Sequence, residues 1–217
     1  MNNGPLLFLG IFFTIAFSWT GIVLTNLVQQ HDAGADRPFY DSQSESVVPA
    51  VPSGEARQGA LVYQQMGCLY CHSQQVRNPL TGGANAQSPD VARGWGERPS
   101  VARDYVQDVR VMLGTMRTGP DLRNVGSRPY DANWHLRHLY NPQITSPGSI
   151  MAPFPFLFEV REIKGQPSKK ALTGLGEYAP PAGFEVVPTA RAESLVAYLL
   201  SLRTETAELP ETAGGAK

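Results

Sequence analysis

Cys68-Leu69-Tyr70-Cys71-His72 places two thiols three positions apart with an imidazole immediately after them. This C-x-x-C-H spacing is that of a c-type haem attachment. Two thiols one turn apart can reach the two vinyl groups on one edge of a porphyrin as thioethers, and the next residue then projects an imidazole beneath the iron. No other cysteine exists in the 217 residues, so a disulfide framework is excluded.

A low-spin haem needs a sixth ligand, and the choices are Met66, Met112, Met116, Met151, His31, His135 and His138. Met66 is too close to the attachment loop to cross to the opposite haem face, and Met112 and Met116 read as core filler. Met151 is the preferred ligand, because Ser149-Ile150-Met151-Ala152-Pro153-Phe154-Pro155 is a stiff, Pro-rich loop able to hold a thioether. A thioether opposite imidazole raises the iron potential relative to two imidazoles. In Thr118-Gly119-Pro120-Asp121-Leu122, the Pro120 carbonyl can fix His72 by accepting from its second ring nitrogen.

Between His72 and Pro120 the connection is long. From Arg77 to Arg128 it carries eight Arg, no Lys and five acids. Arg presents paired donors suited to carboxylates, and haem brings two propionates. Arg77, Arg98, Arg103 and Arg117 are the propionate candidates, Arg77 and Arg117 foremost, against a simple charged surface. Trp95 and Trp134 can pack on the haem or in the core.

The elements that position these residues follow from pattern. Pro5 to Val28 is 24 residues without a charge, and the first charged side chain in the chain is Asp32. As a helix this run reaches roughly 36 Å, enough to cross a bilayer core of about 30 Å. A cleaved signal peptide is the rival, since Ala33-Gly34-Ala35 resembles a cleavage site. The apolar run nevertheless exceeds a signal core of roughly 7 to 15 residues, and no Lys or Arg precedes it. The expected organisation is a transmembrane anchor at 1–30, a Pro-punctuated linker at 31–53, a cytochrome domain at 54–204 and a polar tail at 205–217.

Within the domain, Ser53 caps a helix through Met66 that stops at Gly67, with positions 56, 60, 63 and 66 on its apolar face. A helix is possible over 100–113. Asp131 caps a helix over 132–140, residues 141–188 read as mostly loop, and Thr189 caps a helix in ARAESLVAYLLSLR. The fold expectation is all-α. The balance of 18 Lys+Arg against 19 Asp+Glu argues against nucleic acid as a partner.

GCLYCH, TGPDL, the Met151 loop and LVAYLLSL resemble a class I cytochrome c, here with a long loop insertion and one N-terminal transmembrane helix. More closely, GCLYCHSQQVRNP, SVARDY, RTGPDLRNVGSR, WHLRHLYNP and SIMAPFPFL resemble the monohaem cytochrome c subunit (subunit II) of cbb(3)-type haem-copper oxidases. That resemblance implies one covalent haem c, attached through Cys68 and Cys71, with His72 and Met151 as axial ligands. It implies two protein partners, the haem-copper catalytic subunit and a dihaem cytochrome c subunit that feeds electrons in, and no bond chemistry in this chain alone. The haem domain is then expected on the periplasmic side of a bacterial inner membrane. One departure is Ala152, where the family has Pro directly after the ligand Met. The alternatives are the cytochrome c subunit of a nitric oxide reductase and a Cys2His2 zinc site from Cys68, Cys71, His135 and His138.

Overall fold

The computed structural model describes residues 3–32, 34, 36–41, 45–79 and 88–204. The expected tail at 205–217 lies outside the described residues. The chain divides into two compact units.

The first unit contains helix α1 (Gly4–Asp32), a short ladder of β1 (Phe39–Asp41) and β2 (Ser46–Val48), and Val101–Gln107. In α1 the large apolar side chains are exposed along the helix. Its polar side chains bond to their own backbone: the hydroxyls of Thr14 and Thr20 donate four residues back, to Gly10 and Ala16 at 2.9 and 2.8 Å. Such bonds make hydroxyls tolerable in hydrocarbon. Thr25 donates five residues back, to Thr20 at 2.9 Å, where Thr20–Leu24 forms one widened π turn. A single such helix near the N-terminus fits a single-pass membrane anchor. In β1–β2, Phe39 pairs with Val48 and Asp41 with Ser46, so part of the expected linker is an antiparallel ladder.

The second unit is built around α2 (Gly54–Gln65), α3 (Ala132–Tyr140) and α4 (Ala190–Ser201). Each starts at the cap expected from sequence: Ser53 Oγ accepts from Ala56 N at 3.1 Å, Asp131 Oδ1 from Trp134 N at 2.7 Å, and Thr189 Oγ1 from Ala192 N at 3.4 Å. A side-chain oxygen here satisfies a donor that the first turn leaves without a helical partner. α2 crosses α4 at Gly59, where a Cβ would fall inside the Ser194 carbonyl and 2.7 Å from Tyr198 Cβ. Only a residue without a side chain admits so close an approach. Val62 and Tyr63 of α2 and Leu195, Val196 and Leu199 of α4 then join one apolar cluster.

The all-α expectation needs correction. Phe158–Glu162 (β3) and Phe184–Pro188 (β4) pair antiparallel, with Phe158 opposite Pro188 and Glu162 opposite Phe184. These strands lie within the stretch read as mostly loop. Twenty-one residues separate them, so no short turn signals a hairpin. Thr189 ties this ladder to α4, because its N–H and its hydroxyl both donate to Leu157 O, at 3.0 and 2.8 Å. The possible helix over 100–113 is also corrected. Only a 3-10 turn at Ala102–Tyr105 forms there, since beyond it the backbone bonds to the attachment loop, with Gln74 N donating to Leu113 O at 3.1 Å and Thr115 N to Leu69 O at 3.1 Å.

Candidate functional site

The attachment loop begins where α2 stops. Cys68–Tyr70 is a single tight turn, and the N–H groups of Cys71 and His72 both donate to Cys68 O, at 3.2 and 2.9 Å. This winding puts the two thiols on consecutive corners of one turn, and both are free. Cys68 is half-buried, and burial pushes its thiol up to about 11. Cys71 is exposed.

His72 is gripped from the segment that closes the long insertion. Its Nδ1 lies 2.8 Å from Pro120 O. A carbonyl only accepts, so Nδ1 carries the hydrogen and, in the neutral ring, Nε2 keeps its lone pair. Burial lowers the pKa of His72 below the ordinary histidine value, which favours the neutral ring that a metal requires. The backbone comes this close because residue 119 is glycine: a Cβ there would collide with the imidazole. Two further bonds flank the contact, Gly119 N to Cys71 O at 2.9 Å and Leu122 N to Ser73 O at 2.8 Å.

Met151 packs, half-buried, against the same apolar cluster that Cys68, Leu69 and Phe154 join. Its loop is stapled by Gln143, whose Nε2 donates to Ser149 O at 2.5 Å and whose Oε1 accepts from Gly148 N at 2.8 Å. Ser149 Oγ accepts from Met151 N at 3.2 Å, and Phe154 N donates to Leu139 O at 2.9 Å. Of the other methionines, Met112 is a core residue, Met66 packs partly against the core, and Met116 is exposed.

The arginines divide. Arg77 and Arg117 do meet a carboxylate, but it belongs to Asp90, which has no exposed surface. Arg77 reaches Asp90 with its Nη2 at 2.7 Å, its Nε at 3.1 Å and its backbone N–H at 2.9 Å, and Arg117 Nη1 reaches it at 2.7 Å. These bonds hold the carboxyl of Asp90 down at about 2 against the desolvation that would raise it. Arg98 donates to Pro99 O at 3.0 Å. Arg103 belongs to the first unit, donating to Gly34 O at 2.7 Å and lying 5.0 Å from the Phe39 ring. Trp95 carries the Arg93 guanidinium at 5.2 Å.

Trp134 is stacked between Tyr130, at 4.0 Å, and His138, at 4.7 Å. His138 bonds to Thr145 Oγ1 at 2.6 Å, and His135 is buried. Burial pulls both histidines down to about 4. His31 pairs with Asp36 at 2.7 Å. Among the described residues no three His, Cys, Asp or Glu side chains are grouped to hold a metal ion, so Cys68, Cys71, His135 and His138 do not assemble a Cys2His2 site.

A family model described as cytochrome c oxidase, mono-heme subunit/FixO, matches residues 39–179. The chain belongs to the FixO family. No curated protein matches it. The FixO family is a cytochrome c, which implies haem c, and a FixO chain is the monohaem cytochrome c subunit of a cbb(3)-type oxidase. The matched span takes in Cys68, Cys71, His72, Pro120 and Met151 and leaves out α1 and α4. The donor set suits that group: two free thiols on one turn, an imidazole whose Nδ1 is taken by Pro120 so that Nε2 keeps its lone pair, and a thioether on a braced loop.

Sequence reasoning missed three residues around this FixO site. Asp90 and Asp121 are fully buried acids, and nothing in their local sequence marks them. Arg128 is half-buried, donates through Nη2 to Trp95 O at 3.2 Å and to Asp121 O, and keeps a buried Nε without a partner among the described residues. Its charge acts on His72. The run of arginines was the available signal, but it does not say which member turns toward His72.

Proposed function

We propose that this chain relays single electrons from a dihaem cytochrome c subunit to the haem-copper catalytic subunit of a cbb(3)-type terminal oxidase. The observation that carries the reading is His72, held through Nδ1 by Pro120 directly after two free thiols on one turn, in a chain of the FixO family. Bound haem c supplies a one-electron iron couple. Cys68 and Cys71 would hold it as thioethers, and His72 through Nε2 and Met151 through its thioether would be the iron ligands. Arg128, with its free buried Nε, is the residue best supported as a propionate donor. Arg77 and Arg117 instead close the insertion around Asp90.

In this reading α1 is retained as a single-pass anchor in a bacterial inner membrane, and the haem domain is periplasmic, where haem c is attached. The chain makes and breaks no substrate bonds. It sets the iron potential through ligands and burial, and it places the haem edge near its neighbours. The FixO match favours the oxidase over a nitric oxide reductase subunit of similar plan.

Purifying the complex in mild detergent tests this. The chain should carry one covalent haem by mass and co-purify with a copper-containing core and a dihaem partner. A chain of plain peptide mass, or a core containing non-haem iron, overturns the proposal. Met151→Ala should lower the haem c potential or make it high-spin, and an unchanged methionine-ligated spectrum removes Met151 from the role.

A further inference from the structure

The TGPDL block holds a second group beside His72 whose part the sequence does not state, the Asp121 carboxylate. It has no exposed surface, yet four donors converge on it. Oδ2 accepts from Ser73 Oγ at 2.5 Å and from Gln75 N at 2.7 Å, and Oδ1 accepts from Arg123 N at 2.9 Å. Arg117 Nη2 lies 3.5 Å from Oδ2. The same residue follows Pro120, so the Pro120 carbonyl is part of the peptide unit that Asp121 completes. The carboxylate thus binds residues 73 and 75, which follow His72 in the chain, while the carbonyl before it takes the imidazole.

We infer that Asp121 is a positioning residue for His72, clamping residues 73–75 to 120–123 so that the Pro120 carbonyl stays aligned with Nδ1–H. The inference rests on the reading of His72 as an iron ligand. A carboxylate is needed because donors approach both oxygens. An amide offers one acceptor oxygen, and whichever way it turned its NH2 would face a backbone N–H, that of Gln75 or that of Arg123. A dislocated acceptor weakens the hydrogen bond that makes the imidazole a stronger donor to the metal. Loss of that donation, and loss of a buried anion beside the site, both favour reduced iron, so the two effects raise the potential together.

The test uses the intact detergent-purified oxidase with Asp121→Asn and Ser73→Ala, reading the haem c midpoint potential and the g values of its ferric low-spin signal. Asp121→Asn should shift the potential upward and change the g values while the thioethers remain. Ser73→Ala, which removes one donor and leaves the charge in place, should move both in the same direction by less. If both variants carry attached haem with wild-type or lowered potential and wild-type g values, the inference is overturned, because a residue that merely braces a loop would leave them unmoved. Should Asp121→Asn fail to retain haem, Ser73→Ala decides alone: an upward shift with altered g values supports the clamp, and an unchanged haem overturns it. A wild-type chain without covalent haem removes the proposed function itself, a result distinct from unchanged potentials on attached haem.

Discussion

The α2–α4 crossing and the clamp behind His72 hold the second unit together by opposite means. At the crossing, Gly59 lets two helices approach until apolar side chains interlock, and Tyr63 meets Tyr198 edge-on with centroids 5.4 Å apart. Around the clamp and the insertion, two fully buried carboxylates, Asp121 and Asp90, gather backbone N–H groups and guanidinium groups. The difference teaches what each region tolerates. Close packing is sensitive to volume and indifferent to pH, whereas a buried carboxylate is sensitive to charge and forgiving of solvent-facing bulk.

The largest expected effect comes from adding volume at the crossing. Gly59→Leu should destabilise the domain by about 3 kcal/mol or more, read as a lowered unfolding midpoint in denaturant, because backbone at Ser194 cannot move aside as a side chain would. A midpoint unchanged by that substitution would break the contrast.

Next is charge removal in the insertion. Asp90→Asn leaves Arg77 without its anion and Arg117 with only the more distant Asp121, and should cost about 2 kcal/mol. The acid limb checks the same contact. The folded pKa of Asp90 is depressed to about 2 from the ordinary aspartate value of 3.8, so its contribution is complete above pH 3.8 and disappears as pH falls toward 2. Wild type should therefore lose stability between about pH 4 and pH 2 more steeply than Asp90→Asn. Identical acid limbs would show that the network contributes nothing.

Smallest is the residue that belongs to both regions. The ring of Tyr198 lies in the crossing, while its hydroxyl exchanges bonds with the buried Gln74 amide at 2.9 and 3.0 Å. Tyr198→Phe keeps the ring and should cost about 1 kcal/mol, with protection from hydrogen exchange falling around residue 74 rather than along α4. Equal loss along α4 would mean that the hydroxyl supports the packing itself.

Legibility in the sequence followed the distance over which each feature is decided. The caps Ser53, Asp131 and Thr189 were readable because each acts three residues ahead. The long apolar helix was readable because an uncharged run of 24 residues is a property of composition. The β3–β4 pairing was hidden by a partner 21 residues away, and the possible helix over 100–113 gives way at its end to long-range bonds, Leu113 O accepting from Gln74 N and Thr115 N donating to Leu69 O. The arginines were read as propionate donors, and the sequence could not say that Arg77 and Arg117 would find Asp90 inside the insertion or that Arg98 and Arg103 would donate to backbone carbonyls.

What the sequence by itself determined was the chemistry on offer: two thiols and an imidazole at fixed local spacing, a glycine-proline carbonyl able to meet that imidazole, and a long apolar helix. Tertiary structure alone decided which buried acid answers which donor, and that Asp121 stands behind His72. The physical reason is range. Covalent spacing and helical periodicity are settled within a few residues, whereas a buried charge is stable only where the folded chain brings enough donors to replace water, and those donors come from segments tens of residues apart.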